Sequence, residues 1–125
     1  RKLSWKLLKQ TFIECEKVKL TVVVCASTFA EVKKVASLHP EYIAYEPAAL
    51  IGGDISVTSS KPEIIQKAVE LVQKMSPTTK LLCGAGVHSK EDVRKAVQLG
   101  AEGILLAHAV VKAKEPRKFV GGLLA

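Results

Sequence analysis

Aromatic side chains are scarce in this sequence, at 5% of 125 residues, with one Trp and two Tyr. A surface that stacks bases needs aromatics interleaved with its cations. The cations here stand almost alone, gathered near the two ends as Arg1, Lys2, Lys6, Lys9, Lys17 and Lys19, then Lys112, Lys114, Arg117 and Lys118. They fall on the polar sides of expected helices, so the net charge of +7 reads as solvated helix faces rather than a nucleic-acid surface. Such a field also attracts small anionic metabolites. Cysteine is sparse too: Cys15, Cys25 and Cys83 are widely spaced with no Cys-x-x-Cys pair. That spacing argues against a disulfide framework and a zinc site, and leaves small buried hydrophobes as the reading. No apolar run approaches the ~20 residues of a membrane helix. The opening Arg1-Lys2-Leu3-Ser4-Trp5 holds no secretory core. The expectation is a soluble, cytoplasmic protein.

What is plentiful is aliphatic. Hydrophobic residues make up 48% of the chain, enough for one compact core and one domain over residues 1–125. A bias to Val, Leu, Ile and Ala suits strands buried on both faces, as in parallel α/β sheets.

The pattern alternates. Trp5, Leu8, Phe12 and Cys15 form one apolar stripe at helical period. Residues 20–26 are β-branched and nearly continuous, a buried strand. Thr28 and Glu31 have capping-box spacing, opening a helix through Val32, Val35 and Ala36 that His39-Pro40 stops. Residues 41–45 read as a second strand. Residues 46–60 lack periodicity, and a loop of that length inside a compact domain is usually functional or disordered. Ser60 and Glu63 are spaced as a second capping box before Ile65, Ala68, Val69 and Val72. Residues 80–83 form a third strand, Ser89 opens a helix closed by Gly100, residues 103–107 form a fourth strand, and a weaker helix follows. Alternation of this kind implies right-handed crossovers and a parallel sheet. Both an open doubly wound sheet and part of a (β/α)8 barrel fit. A full barrel takes about 250 residues and eight strands, twice what is present.

Parallel α/β folds carry their sites at the carboxyl ends of the strands. After the second strand comes Glu46, fixed toward extended geometry by Pro47 and followed by the long loop with its Gly52-Gly53 pair. A strand-end glutamate is either a general base or a rim residue paired with a lysine. After the third strand comes Gly84-Ala85-Gly86, whose bare backbone suits a phosphate or simply a tight turn. After the fourth comes His108, while His39 and His88 sit beside turn residues as surface groups.

Tyr45-Glu46-Pro47-Ala48-Ala49-Leu50-Ile51-Gly52-Gly53 resembles the flexible-loop segment of archaeal-type triose-phosphate isomerases. Residues 82–87 are similar to that family's seventh-strand motif, and residues 100–107 to its eighth, in order and at matching spacings. The resemblance implies the carboxyl-terminal half, about four strands, of a TIM (β/α)8 barrel. It implies interconversion of dihydroxyacetone phosphate and glyceraldehyde 3-phosphate, in glycolysis and gluconeogenesis, without cofactor or metal. Glu46 would be the catalytic base. Ile51 and Gly52 would close over the phosphate, with Gly84, Gly86, Ala107 and His108 binding it. The family's lysine after the first strand and its histidine electrophile after the fourth have no counterpart here, so the expectation is a chain inactive alone. Asp54 and His108 depart from the family's small residues near the phosphate. Partners implied are a triose phosphate, further copies of the chain or a complementary amino-terminal half-barrel, with neither nucleic acid nor membrane. Two alternatives stand beside the isomerase: a non-catalytic half-barrel that assembles, and a barrel for another phosphorylated metabolite.

Overall fold

The computed structural model describes residues 2–47 and 61–124. The elements run α1 (Trp5–Lys17), β1 (Val23–Ala26), α2 (Phe29–Ala36), β2 (Tyr42–Tyr45), α3 (Pro62–Met75), β3 (Lys80–Gly84), α4 (Lys90–Gln98), β4 (Gly103–Leu105), α5 (His108–Val111) and α6 (Pro116–Leu124). The strands form one parallel sheet in the order β1-β2-β3-β4.

Side-chain alternation decides between the two architectures. Val24 and Ala26, Ile43 and Tyr45, and Leu81 and Cys83 point to one face, where they pack with Val32, Val35, Ile65, Ala68, Val72 and Ala96 of the helices. Alternation sends Val23, Cys25, Ala44 and Leu82 to the other face, and Val23 is 42% exposed there. A doubly wound sheet reverses its strand order and covers both faces with helices. Sequential order with the helical core on one face is instead an arc of a (β/α)8 barrel, and the chain is a partial, half-size portion of that fold. Ile43 and Ile65 are fully buried at the centre, each stabilising by roughly 1.5–3 kcal/mol.

Local chemistry sets the boundaries. Ser4, Thr28 and Ser89 cap α1, α2 and α4, each accepting from a backbone N–H three residues on. Gly100 lies past α4 at φ +95, with its N–H on the Val97 carbonyl and that of Ala101 on the Ala96 carbonyl, the double closure expected of a left-handed cap. Lys19 does the same after α1 at φ 56, sending the Leu20 N–H back to the Cys15 carbonyl. That bond is why β1 starts at Val23 rather than at residue 20. The expected capping box at Ser60 shifts as well. Lys61 is the N-cap of α3, without a side-chain bond, and Pro62 takes the first helical turn. Ser60 itself lies outside the described residues. At the other end β4 stops at Leu105, because Ala107 already serves as the N-cap of the short helix α5.

His39 is exposed, as expected of a surface group, yet bonded. Its Nδ1 lies 3.0 Å from Ser76 Oγ, which lies 2.6 Å from Thr79 Oγ1, and Thr79 donates to the Pro40 carbonyl at 2.6 Å. This buried polar knot ties the amino ends of β2 and β3 together.

Candidate active site

Glu46 follows β2 directly. Its backbone N–H donates to the Ala26 carbonyl at 2.8 Å, carrying the β1–β2 ladder past the last paired residues. Pro47 cannot donate a further rung, so the chain leaves the sheet there. The Glu46 side chain is half-buried and leans across β3. A Cβ built on Gly84 would lie 2.5 Å from Glu46 Cγ and 3.0 Å from Oε1. Glycine at this position is therefore a space requirement of the carboxylate.

On the other flank stands Cys25. The expectation of a buried hydrophobe holds for Cys83, which is fully buried, and in part for Cys15, but not for Cys25, which is exposed. The reason is strand alternation: Val24 and Ala26 take the helix side of β1 and leave Cys25 on the opposite face. Its sulfur is nevertheless sheltered enough that burial, followed by a hydrogen bond to Glu46 and that carboxylate's charge, pushes the thiol up to about 11. Sequence reasoning missed this residue, although its parity with Val23 in a short strand was a usable signal. Cys83 on the helix side is pushed up to about 12 by burial and by the charge of Asp92. Both thiols are held in the unreactive, protonated form at neutral pH.

Gly84-Ala85-Gly86 turns sharply after β3. Ala85 has φ 73 and Gly86 φ 68, two successive left-handed residues, of which the alanine bears a strain of roughly 1–2 kcal/mol. Successive backbone N–H groups in a turn can form an anion-binding concavity. The next amides are already used: His88 and Ser89 donate their N–H groups to Asp92 Oδ2 at 3.1 and 3.0 Å, and Ser89 Oγ adds a third bond at 2.8 Å. The amides at the tip of α4 are therefore already taken.

Ala107 and His108 are exposed at the start of α5. The Ala107 carbonyl accepts from Val110 and Val111 at 3.1 and 2.9 Å. First-turn N–H groups have no acceptor inside their helix and can donate outward. Gly84 pairs with Leu105, so Gly86 and Ala107 each lie two residues beyond that pair, on one rim. The structure therefore brings Glu46 against Gly84 and sets Gly86, Ala107 and His108 along the same strand-end edge. Ile51 and Gly52, with Asp54, lie outside the described residues. No group of three His, Cys, Asp or Glu side chains fit to hold a metal ion occurs among the described residues. No helix among them is long and apolar enough to cross a membrane.

A cavity of about 510 Å³ opens elsewhere, between α1 and the outer edge of β1, lined by Trp5, Leu8, Phe12, Val23 and Val35 among others. Glu46 takes no part in it.

The triosephosphate isomerase family matches residues 4–122. A triosephosphate isomerase of Methanothermus fervidus is 43% identical over 102 residues, covering 82% of this chain and 46% of the relative. That of Methanocaldococcus jannaschii is 42% identical over 89% of this chain and 51% of its own. That of Methanosarcina mazei is 36% identical over 99% and 56%. The chain spans about half the length of the curated relatives it matches. Among solved structures, a mutant tryptophan synthase alpha-subunit from Pyrococcus furiosus superposes with TM-score 0.70 at 18% identity, covering 98% of this chain and 52% of that one. A flavocytochrome b2 mutant with benzoylformate gives 0.69 at 20%, covering 98% and 31%. These distant likenesses speak to the barrel fold alone. The family match over nearly the whole sequence and the identity to these relatives say more: this chain belongs to the triosephosphate isomerase family, and its relatives are of archaeal type.

Proposed function

We propose that Glu46 is the base of an isomerase site that moves a proton between adjacent carbons of a triose phosphate. The substrate would be dihydroxyacetone phosphate or glyceraldehyde 3-phosphate, and the reaction the glycolytic and gluconeogenic interconversion. The observation that carries this is the carboxylate itself, held at the carboxyl end of β2 over a glycine that has no room for a side chain. The carboxylate takes the proton from the carbon next to the carbonyl. The resulting enediolate is reprotonated at the neighbouring carbon by the same group, so no electron acceptor or metal is consumed. The general pattern, of which triose-phosphate isomerase is itself a standard worked case, adds a neutral histidine that polarises the carbonyl and a loop that excludes water.

The phosphate would rest on the Gly84 and Gly86 turn and the Ala107–His108 amides, with Ile51 and Gly52 folding over it. Asp54 and His108 tune that pocket in opposite senses, through a negative charge and an imidazole. The 125 residues assayed alone are expected to give no measurable turnover, since a carboxylate without an electrophile loses most of the barrier reduction.

The test is complementation. This chain, mixed with the amino-terminal half of the Methanothermus fervidus relative that it does not cover, is assayed for conversion of glyceraldehyde 3-phosphate. Turnover that disappears in Glu46→Gln is expected. A stable complex that turns over equally well with Gln at this position would sink the assignment.

A second reading has its own observation. The face bearing Val23 and Cys25, together with the cavity at the β1 edge, is apolar surface next to an edge strand. On that reading the chain is an assembling half-barrel, completed by a complementary half or a further copy in the cytoplasm. Light scattering that finds a stable monomer counts against it.

A further inference from the structure

We propose that a second cavity, between the start of α4 and α6, is a binding site for an organic phosphomonoester, separate from the strand-end rim. The site stands whether or not Glu46 is a base. The cavity measures about 510 Å³ and is lined by Lys90 on one side and by Lys114, Lys118, Phe119 and Gly122 on the other, among others.

Charge names the ligand's head. Three ammonium groups line the cavity, those of Lys90, Lys114 and Lys118, against the single carboxylate of Glu115. That carboxylate is spent on Lys118, at 3.3 Å. Asp92 nearby accepts from the His88 and Ser89 amides and from the Ser89 hydroxyl. Among the described residues, Lys90 and Lys114 have no ion pair. Two uncompensated cations on one cavity suit a dianion better than a single carboxylate, and the chain's net charge of +7 adds to the attraction. The amides at the tip of α4 are engaged, so side chains rather than backbone would hold the phosphate.

Shape names the ligand's body. Small-molecule pockets run from about 300 to 1,000 Å³, so this one takes more than a bare phosphate. Leu123 is buried and Phe119 half-buried, and together they supply apolar wall. Gly122 has no explanation inside the chain. Glycine weakens a helix, yet here φ is not positive and a Cβ would meet nothing within 4 Å. What the glycine does is leave room in the cavity that it lines. Gly121 beside it is equally uncrowded but does not line the cavity, which makes it an internal control.

Phenyl phosphate is the probe, with benzoate as its singly charged counterpart. The 15N-labelled chain is titrated with each, and amide shifts are followed by NMR. Phenyl phosphate is expected to shift residues 88–90 and 113–123, with benzoate roughly fivefold weaker, the effect of about one charge at an exposed pair. Shifts confined to residues 84–86 and 107–108 would place the phosphate on the strand-end rim alone and overturn the proposal. So would an unshifted spectrum at roughly 10 mM probe, where a site with a Kd of about 1 mM is nearly full.

Two variants separate binding from folding. Gly122→Met should raise the melting temperature, because it replaces a helical glycine, while weakening phenyl phosphate by about tenfold or more through filling the cavity. Gly121→Met should raise it likewise and leave binding within about twofold. Equal binding by the two methionine variants overturns the assignment to this cavity. Lys90→Gln and Lys114→Gln each weaken binding roughly threefold, and together they should abolish the preference for phenyl phosphate over benzoate. A preference that survives both changes overturns the proposed charge partners.

Discussion

At the amino ends of β2 and β3, Ser76 and Thr79 are buried and bonded to each other, to His39 and to the Pro40 carbonyl. At the carboxyl ends of the same strands, Glu46 is half-buried, Ala85 and Gly86 are left-handed, and Ala107 and His108 are exposed. Among the described residues no buried side-chain nitrogen or oxygen lacks a partner. The polar groups of the first end thus point inward and are spent on each other. Those of the second lie at the surface in backbone geometry that costs energy. One end of a barrel is where stability is settled and the other is where ligands are met. The chain spans about half of its relatives' length, yet it carries both ends in miniature.

Substitutions should separate the two. The largest effect is expected from Glu46→Gln in the complemented barrel, where loss of a general base lowers kcat on the order of 10³-fold. The folding stability should change by no more than a neutral surface substitution does, about 0.5 kcal/mol. Steady-state kinetics beside thermal melting reads both. A large loss of stability with this change would erase the contrast.

Thr79→Val makes the opposite test. It removes the donor to the Pro40 carbonyl and one of the two partners of Ser76 Oγ, whose other partner is His39 Nδ1. The expected cost is about 2 kcal/mol, read as a fall in melting temperature of roughly 5–10 °C.

Gly84→Ala comes third, at about 1–2 kcal/mol, and it sharpens the comparison by asking what kind of cost the carboxyl end imposes. If the cost is the collision with Glu46 Cγ, it should shrink to near zero when the same change is made in Glu46→Ala. Denaturant unfolding of the four chains gives the coupling. A cost that survives without the glutamate side chain would place the problem in the strand backbone.

How far these features were legible follows from how local they are. Glu46 stood out because a buried strand, Pro47 and a long aperiodic loop meet at one residue, and the later motifs fell in register with it. The Gly100 cap was legible because a left-handed residue after a helix is a one-residue requirement. The exposure of Cys25 was not, because it depends on which face the helices cover, and that is decided by packing across three strands. The four-residue helix α5 carries too short a pattern to show a period. The start of α3 falls at Pro62, whose fixed φ suits a first helical turn. The polar knot escaped as well, since His39 and Ser76 are far apart in sequence and meet only once β2 and β3 are side by side.

The smallest expected effect lies again at a carboxyl end, that of β1. Glu31 accepts from Lys2 Nζ at 2.7 Å and from the Ser27 N–H at 2.7 Å. The Lys2 bond first, then the Ser27 amide, hold its carboxyl below the ordinary 4.5. A carboxyl depressed in the folded state stabilises above its unfolded pKa and loses that contribution as pH falls through the folded one. The side chains of Lys2 and Glu31 are 67% and 37% exposed, so solvent and salt screen most of the attraction. Glu31→Gln should therefore cost only about 0.5 kcal/mol at pH 7, less in high salt, with the difference from the parent chain shrinking as pH falls through the lowered folded-state pKa. A Glu31 effect that persisted in acid would mean that the Ser27 bond acts through its geometry, and the contrast between charge at one end and packing at the other would be weaker than drawn.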